Sequence, residues 1–145
     1  MTDPNEDYYG WTQETIEMLR QGRLSEVNVD DLIEELEDMA KGERRELRNR
    51  LAVLLAQLLK WQYQPSHQAR SWRATIKEQR HQIVLLLRNS PSLKPVLEEI
   101  LNEAYPSAVQ RAVRETDLDE NTFPASFEQT GWTCEQVLDS EFYSD

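Results

Sequence analysis

Apolar residues recur every three or four positions through most of this chain, and nowhere does polarity alternate with the period of two that a half-buried strand requires. The pattern predicts an all-α fold. A first helix is expected over 13–21, where Thr12 can serve as N-cap, Trp11 and Ile16 can form a hydrophobic staple, and Gly22 can take the left-handed conformation after the last turn. The second runs over 29–63. Asn28 is placed to cap it, Asp30 and Asp31 occupy its first turn where the helix dipole favours anions, and Leu32, Leu36, Met39, Leu47, Leu51, Leu54, Leu58 and Trp61 keep one phase broken only at Glu43. Gly42 costs about 1 kcal/mol against Ala in a helix interior. Because the phase is unchanged on either side of it, one long bent helix is favoured over two. Pro65 ends it, since the residue before a proline is pushed out of the helical region.

A third helix is expected over 67–89, capped by Ser66, with Trp72, Ile76, Ile83 and Leu87 on its apolar stripe. So short a connection forces the two long helices to run antiparallel, with Leu58, Trp61, Trp72 and Ile76 meeting near the turn and buried there. A fourth helix over 92–116 is capped by Ser92, carries Pro95 in its first turn, and is kinked or broken near Pro106. Residues 117–132 lose all period and read as an acidic irregular strap pinned by Phe123 and Phe127. Thr133 and Gln136 then form a capping box, with Trp132 and Val137 as staple, for a short helix over 134–140. The expected architecture is an antiparallel pair of long helices with shorter helices packed around it, a single domain over 1–145.

Charge changes this picture more than composition does. Residues 1–40 hold 12 Asp/Glu and 2 Lys/Arg, residues 41–94 hold 3 and 12, and residues 95–145 hold 12 and 2. A basic centre flanked by acidic termini suggests that the blocks dock on one another and that any basic face left over is a contact surface. The net charge of −11 argues against coating nucleic acid, so nucleic acid is an unlikely partner. No stretch approaches the length needed to span a bilayer, the start lacks the basic and apolar regions of a signal peptide, and the lone Cys134 cannot close an internal disulfide. A cytoplasmic protein is expected.

Candidate chemistry is sparse, and no complete catalytic constellation stands out. Glu78 and His81 have the Glu-x-x-His spacing of carboxylate di-metal bundles, but a second copy of that motif is missing, so the pair reads as a solvated helix face and no metal or cofactor is expected. The acidic run Glu34, Glu35, Glu37 and Asp38 reads the same way. Cys134 sits at a helix start that could favour a thiolate, yet Glu135 opposes it and no base lies nearby in sequence. What remains is a ridge on the third helix. Arg70, Arg73, Lys77 and Arg80 line one side beside Trp72, set either to pair with Glu98, Glu99, Glu103 or the N-terminal acids inside the protein or to bind an external acidic surface.

Several blocks resemble a known family. Tyr8-Tyr-Gly-Trp11, Asp31-Leu-Ile-Glu-Glu35, Leu58-Leu-Lys-Trp-Gln-Tyr-Gln-Pro65, Arg70-Ser-Trp-Arg-Ala-Thr-Ile76 and Ser90-Pro-Ser-Leu-Lys-Pro95 look like successive segments of the bacterial, largely cyanobacterial, domain of unknown function family 29. The resemblance implies an all-helical cytosolic protein and supplies no activity or catalytic residue. It also marks Gln57 as a departure, since the family pattern often has His there. The functional expectation is a protein–protein interaction module working through the basic, aromatic face, with an unknown partner or by self-association. The alternative is a nucleic-acid-associated factor or an enzyme using the ridge with Glu78 and His81.

Overall fold

A computed structural model describes residues 2–144; residues 1 and 145 of the expected domain lie outside it. Among the described residues there are five α-helices joined by short 3-10 turns, and no strand. The all-α class read from the periodicity is the fold observed. Contacts gather into two compact units, one ending at Gly42 and the other beginning at Glu43.

In the N-terminal unit, helix α1 spans Tyr8–Arg20 and starts well before the expected position. Asp7 is its cap, accepting from the Gly10 N–H at 2.9 Å, a charge-assisted bond at the positive end of the helix dipole. Thr12 is inside the helix instead, and its hydroxyl donates to the Tyr9 carbonyl at 2.7 Å. Gly22 has φ +70°. Around it the Arg23 N–H reaches the Met18 carbonyl at 2.9 Å and the Gly22 N–H reaches Leu19 at 3.2 Å, the paired closure of a Schellman motif. Helix α2 spans Val29–Tyr63, with the Asn28 side chain accepting from the Asp31 N–H at 3.2 Å and Gly42 in its interior.

In the C-terminal unit the second half of α2 packs with α3, Arg70–Asn89, and α4, Leu97–Thr116. Three contacts fix the direction of α3. Ser90 donates to Glu43 at 2.7 Å, Arg50 reaches Gln79 at 3.4 Å and the Lys60 ammonium lies 4.6 Å from the Trp72 ring, so α3 descends as α2 climbs. Helix α4 runs parallel to α2, because Arg44 meets Glu103 at 2.8 Å, Lys60 meets Glu115 at 3.5 Å and Gln64 reaches the Thr116 carbonyl at 3.4 Å. The basic centre is therefore docked against carboxylates of the C-terminal block. The expected antiparallel pair is α2 with α3, and α4, also 20 residues long, packs beside it. Leu47, Leu51, Leu54 and Leu58 of α2, Ile76 and Ile83 of α3, and Ile100, Leu101 and Ala104 of α4 supply its core.

Local details depart from the sequence reading where prolines intervene. Pro65–His67 forms a 3-10 turn, so α3 starts at Arg70 rather than residue 67, and Ser66 faces His67 Nδ1 at 3.0 Å instead of capping a helix. Gln68 takes the free carbonyl of Trp61 at 3.0 Å. Pro91–Val96 is likewise 3-10, and Ser92 caps nothing. Pro106 does not break α4. Its missing N–H leaves only the Asn102 carbonyl without a helical donor, and that residue is exposed, while buried Tyr105, Ala108 and Val109 hold the helix on course.

The acidic segment after α4 is tied down by aromatic contacts. Phe123 and Phe127 are buried, Phe123 5.5 Å from the Tyr63 ring and Phe127 6.4 Å from Tyr105, whose hydroxyl donates to the Pro124 carbonyl at 2.6 Å. Helix α5, Cys134–Leu138, opens on the capping box of Thr133 and Gln136 and ends short of residue 140. Beyond it, Tyr143 stacks 5.2 Å from Trp61 and the Ser144 hydroxyl donates to the Leu58 carbonyl at 2.8 Å.

Candidate interaction cleft

The basic ridge divides along its length. Arg70, Arg73 and Lys77 are exposed, but Arg80 retains only 5% of its surface, so it is not part of a solvent-facing ridge. Helical phase is the reason. Arg80 lies four residues after Ile76 and three before Ile83, which puts it on the apolar stripe itself. Its Nε donates to the Val137 carbonyl at 2.8 Å and its Nη2 to the Phe142 carbonyl at 2.5 Å, so one guanidinium ties both ends of the segment that closes the chain. The third nitrogen, Nη1, is buried with no hydrogen-bond partner among the described residues. Burial lowers the pKa of this arginine, opposed by Tyr143 and Asp139, yet an arginine stays charged across the physiological range.

Beside it lies a cleft of about 590 Å³ between α3 and the chain's closing segment, lined by Arg73, Lys77, Arg80, His81 and Val84 on one side and by Leu138, Ser140, Glu141 and Tyr143 on the other. The Arg73 guanidinium lies 5.0 Å from the Tyr143 ring and 5.4 Å from Trp61, a cation–π arrangement that orients it without neutralising it. Among the described residues, Arg70, Arg73 and Lys77 form no ion pair. Of the acids expected to neutralise them, Glu99 and Glu103 both meet Arg44, at 3.3 and 2.8 Å.

The remaining candidates do not converge on this place. Trp72 is half-buried under the Lys60 ammonium and lines no part of the cleft, and neither does Arg70. His81 lines it, whereas Glu78 accepts a hydrogen bond from Gln82 at 2.9 Å outside it, so the Glu-x-x-His spacing assembles no shared site. Among the described residues no three His, Cys, Asp or Glu side chains are grouped to hold a metal. The Cys134 thiol is pushed up in pKa by burial first and by Glu98 second, which outweighs the helix start and disfavours the thiolate. Sequence reasoning missed Tyr143, Ser140 and Glu141. Their one signal was the aromatic pair Phe142-Tyr143 closing an otherwise acidic segment.

Comparison with known proteins places the chain in a family. Residues 5–143 match the family described as Domain of unknown function DUF29. The chain belongs to that family. No curated protein and no solved structure matches it. The description of DUF29 carries no chemistry, so the surface of this DUF29 chain has to speak for itself. Gln57 is no part of the cleft: it is buried on α2, its Oε1 without a partner among the described residues. Among the described residues no helix of this DUF29 protein is long and apolar enough to cross a membrane.

Proposed function

We propose that this chain is a cytosolic protein–protein interaction module whose cleft between α3 and residues 138–143 takes acidic side chains of a partner protein. The observation that carries this reading is the state of Arg73 and Lys77, exposed cations held beside a cleft with no carboxylate paired to them among the described residues. Arg80 lines the same cleft with its guanidinium buried and tied to the Val137 and Phe142 carbonyls, so it adds positive charge there rather than a free donor. An incoming carboxylate gains charge-assisted bonds from arginine forks that cost little to orient, since Tyr143 and Trp61 already flank Arg73. The overall charge of −11 disfavours a nucleic-acid backbone as the ligand.

The test is quantitative affinity purification with wild type and with the Arg73→Glu/Lys77→Glu variant, whose exposed positions tolerate substitution. A specific partner should be recovered by the wild type and lost by the variant, with the helical circular dichroism spectrum unchanged. Equal recovery of the same proteins by both would remove the cleft from the interaction. Retardation of DNA by the wild type at low salt, falling steeply as salt rises, would point to nucleic acid instead.

A further inference from the structure

The N-terminal unit leaves apolar surface uncovered in a way the C-terminal unit does not. Of the ten large apolar side chains exposed among the described residues, nine precede Gly42, while Trp11 and Thr15 are the residues buried there. On α2 the exposed positions Val29, Ile33, Leu36 and Met39 follow one another at spacings of four, three and three, which places them on one face of the helix. Each is 47–66% exposed. On α1, Ile16 and Leu19 repeat the pattern at 40% and 43% exposure. A contiguous uncovered face of this kind marks an interface, because isolated exposed apolar residues do not recur in register along an element.

Charge says what covers it. Exposed Asp30, Glu34 and Glu37 run along the flank of the α2 stripe, and residues 1–40 as a whole hold 12 Asp/Glu against 2 Lys/Arg. A second copy docking the same unit face to face would set acid against acid. We infer that this face of the N-terminal unit binds an amphipathic helix of a partner protein, apolar on one stripe and rich in Lys and Arg on its flanks. The apolar stripe supplies affinity through burial, and the acidic flank steers the approach and selects the charge of the ligand. This surface is separate from the α3 cleft, and neither reading depends on the other.

The probe is a synthetic Leu/Lys peptide of about 18 residues, long enough to hold a helix, with Leu at helical spacing. It is labelled and titrated by fluorescence anisotropy against the full chain at physiological salt. Saturable binding is expected, weakened at least about tenfold by Ile33→Ser/Leu36→Ser. It should be retained by Arg73→Glu/Lys77→Glu, and lost when the peptide's Leu residues are replaced by Ser. If the double variant perturbs the circular dichroism spectrum, Met39→Ser serves as the second variant. Equal binding of the Ser-substituted peptide, or undiminished binding by the stripe variants, would overturn the inference. So would sedimentation showing a dimer of the wild type that the stripe variants dissolve, since the occupant would then be a second copy.

Discussion

Arg80→Met should destabilise the protein by about 2–3 kcal/mol, and the figure can be built from the environment of that one side chain. The substitution keeps the apolar stem and removes two charge-assisted hydrogen bonds, to the Val137 and Phe142 carbonyls, each worth about 1.5–3 kcal/mol. It also removes the buried Nη1, which has no partner among the described residues, and whose desolvation costs about 1–3 kcal/mol in the wild type and offsets part of the loss. Val137 is fully buried, so its carbonyl is left bare, whereas half-buried Phe142 can find water. For a chain of this size the loss corresponds to a fall in Tm of roughly 6–10 °C. Urea denaturation followed by circular dichroism measures it, and hydrogen exchange should show residues 134–144 opening first. Arg80→Lys should recover less than half, because an ammonium cannot fork between two carbonyls. A variant within about 0.5 kcal/mol of wild type, the range of an ordinary surface change, with unchanged exchange in that segment would refute the clamp.

Other consequences are as direct. Tyr105→Phe removes the hydroxyl that donates to the Pro124 carbonyl and should cost about 1–1.5 kcal/mol, read by denaturant titration. Gly42→Ala should stabilise by about 1 kcal/mol, since Gly42 is inside α2 with open space where a Cβ would stand; a lower Tm would mean the helix is not regular there. Trp72→Ala should cost about 2 kcal/mol, less than a core tryptophan, because the ring is half-buried and its loss also frees the Lys60 ammonium. The hydrogen bond from Arg23 holds the Glu26 carboxyl below the ordinary glutamate value, so the stability it adds is present above that value and lost as pH falls below about 4.5. NMR titration should show the Glu26 midpoint rising in Arg23→Ala, and an unmoved midpoint would contradict the pairing.

Local chemistry was legible in the sequence wherever partners lie within a few residues. The Asn28 cap, the Gly22 closure and the Thr133/Gln136 box each involve groups three to five positions apart, whose meeting depends only on helical geometry. The all-α class follows from the same periodicity. Pro106 misled because its local penalty is real, but the burial of Tyr105, Ala108 and Val109 outweighs it, and burial is decided by α2 and the acidic segment rather than by α4 alone. Arg80 was assigned to solvent by its charge, although its phase between Ile76 and Ile83 placed it on the core face. Only the fold supplied the carbonyls that make such burial tolerable, 57 and 62 residues away along the chain. The cleft has the same origin: Arg73 and Arg80 lie beside the Tyr143 ring, and Glu141 lines the same cleft, because tertiary packing returns residues 138–143 to α3, a long-range encounter that no local spacing encodes.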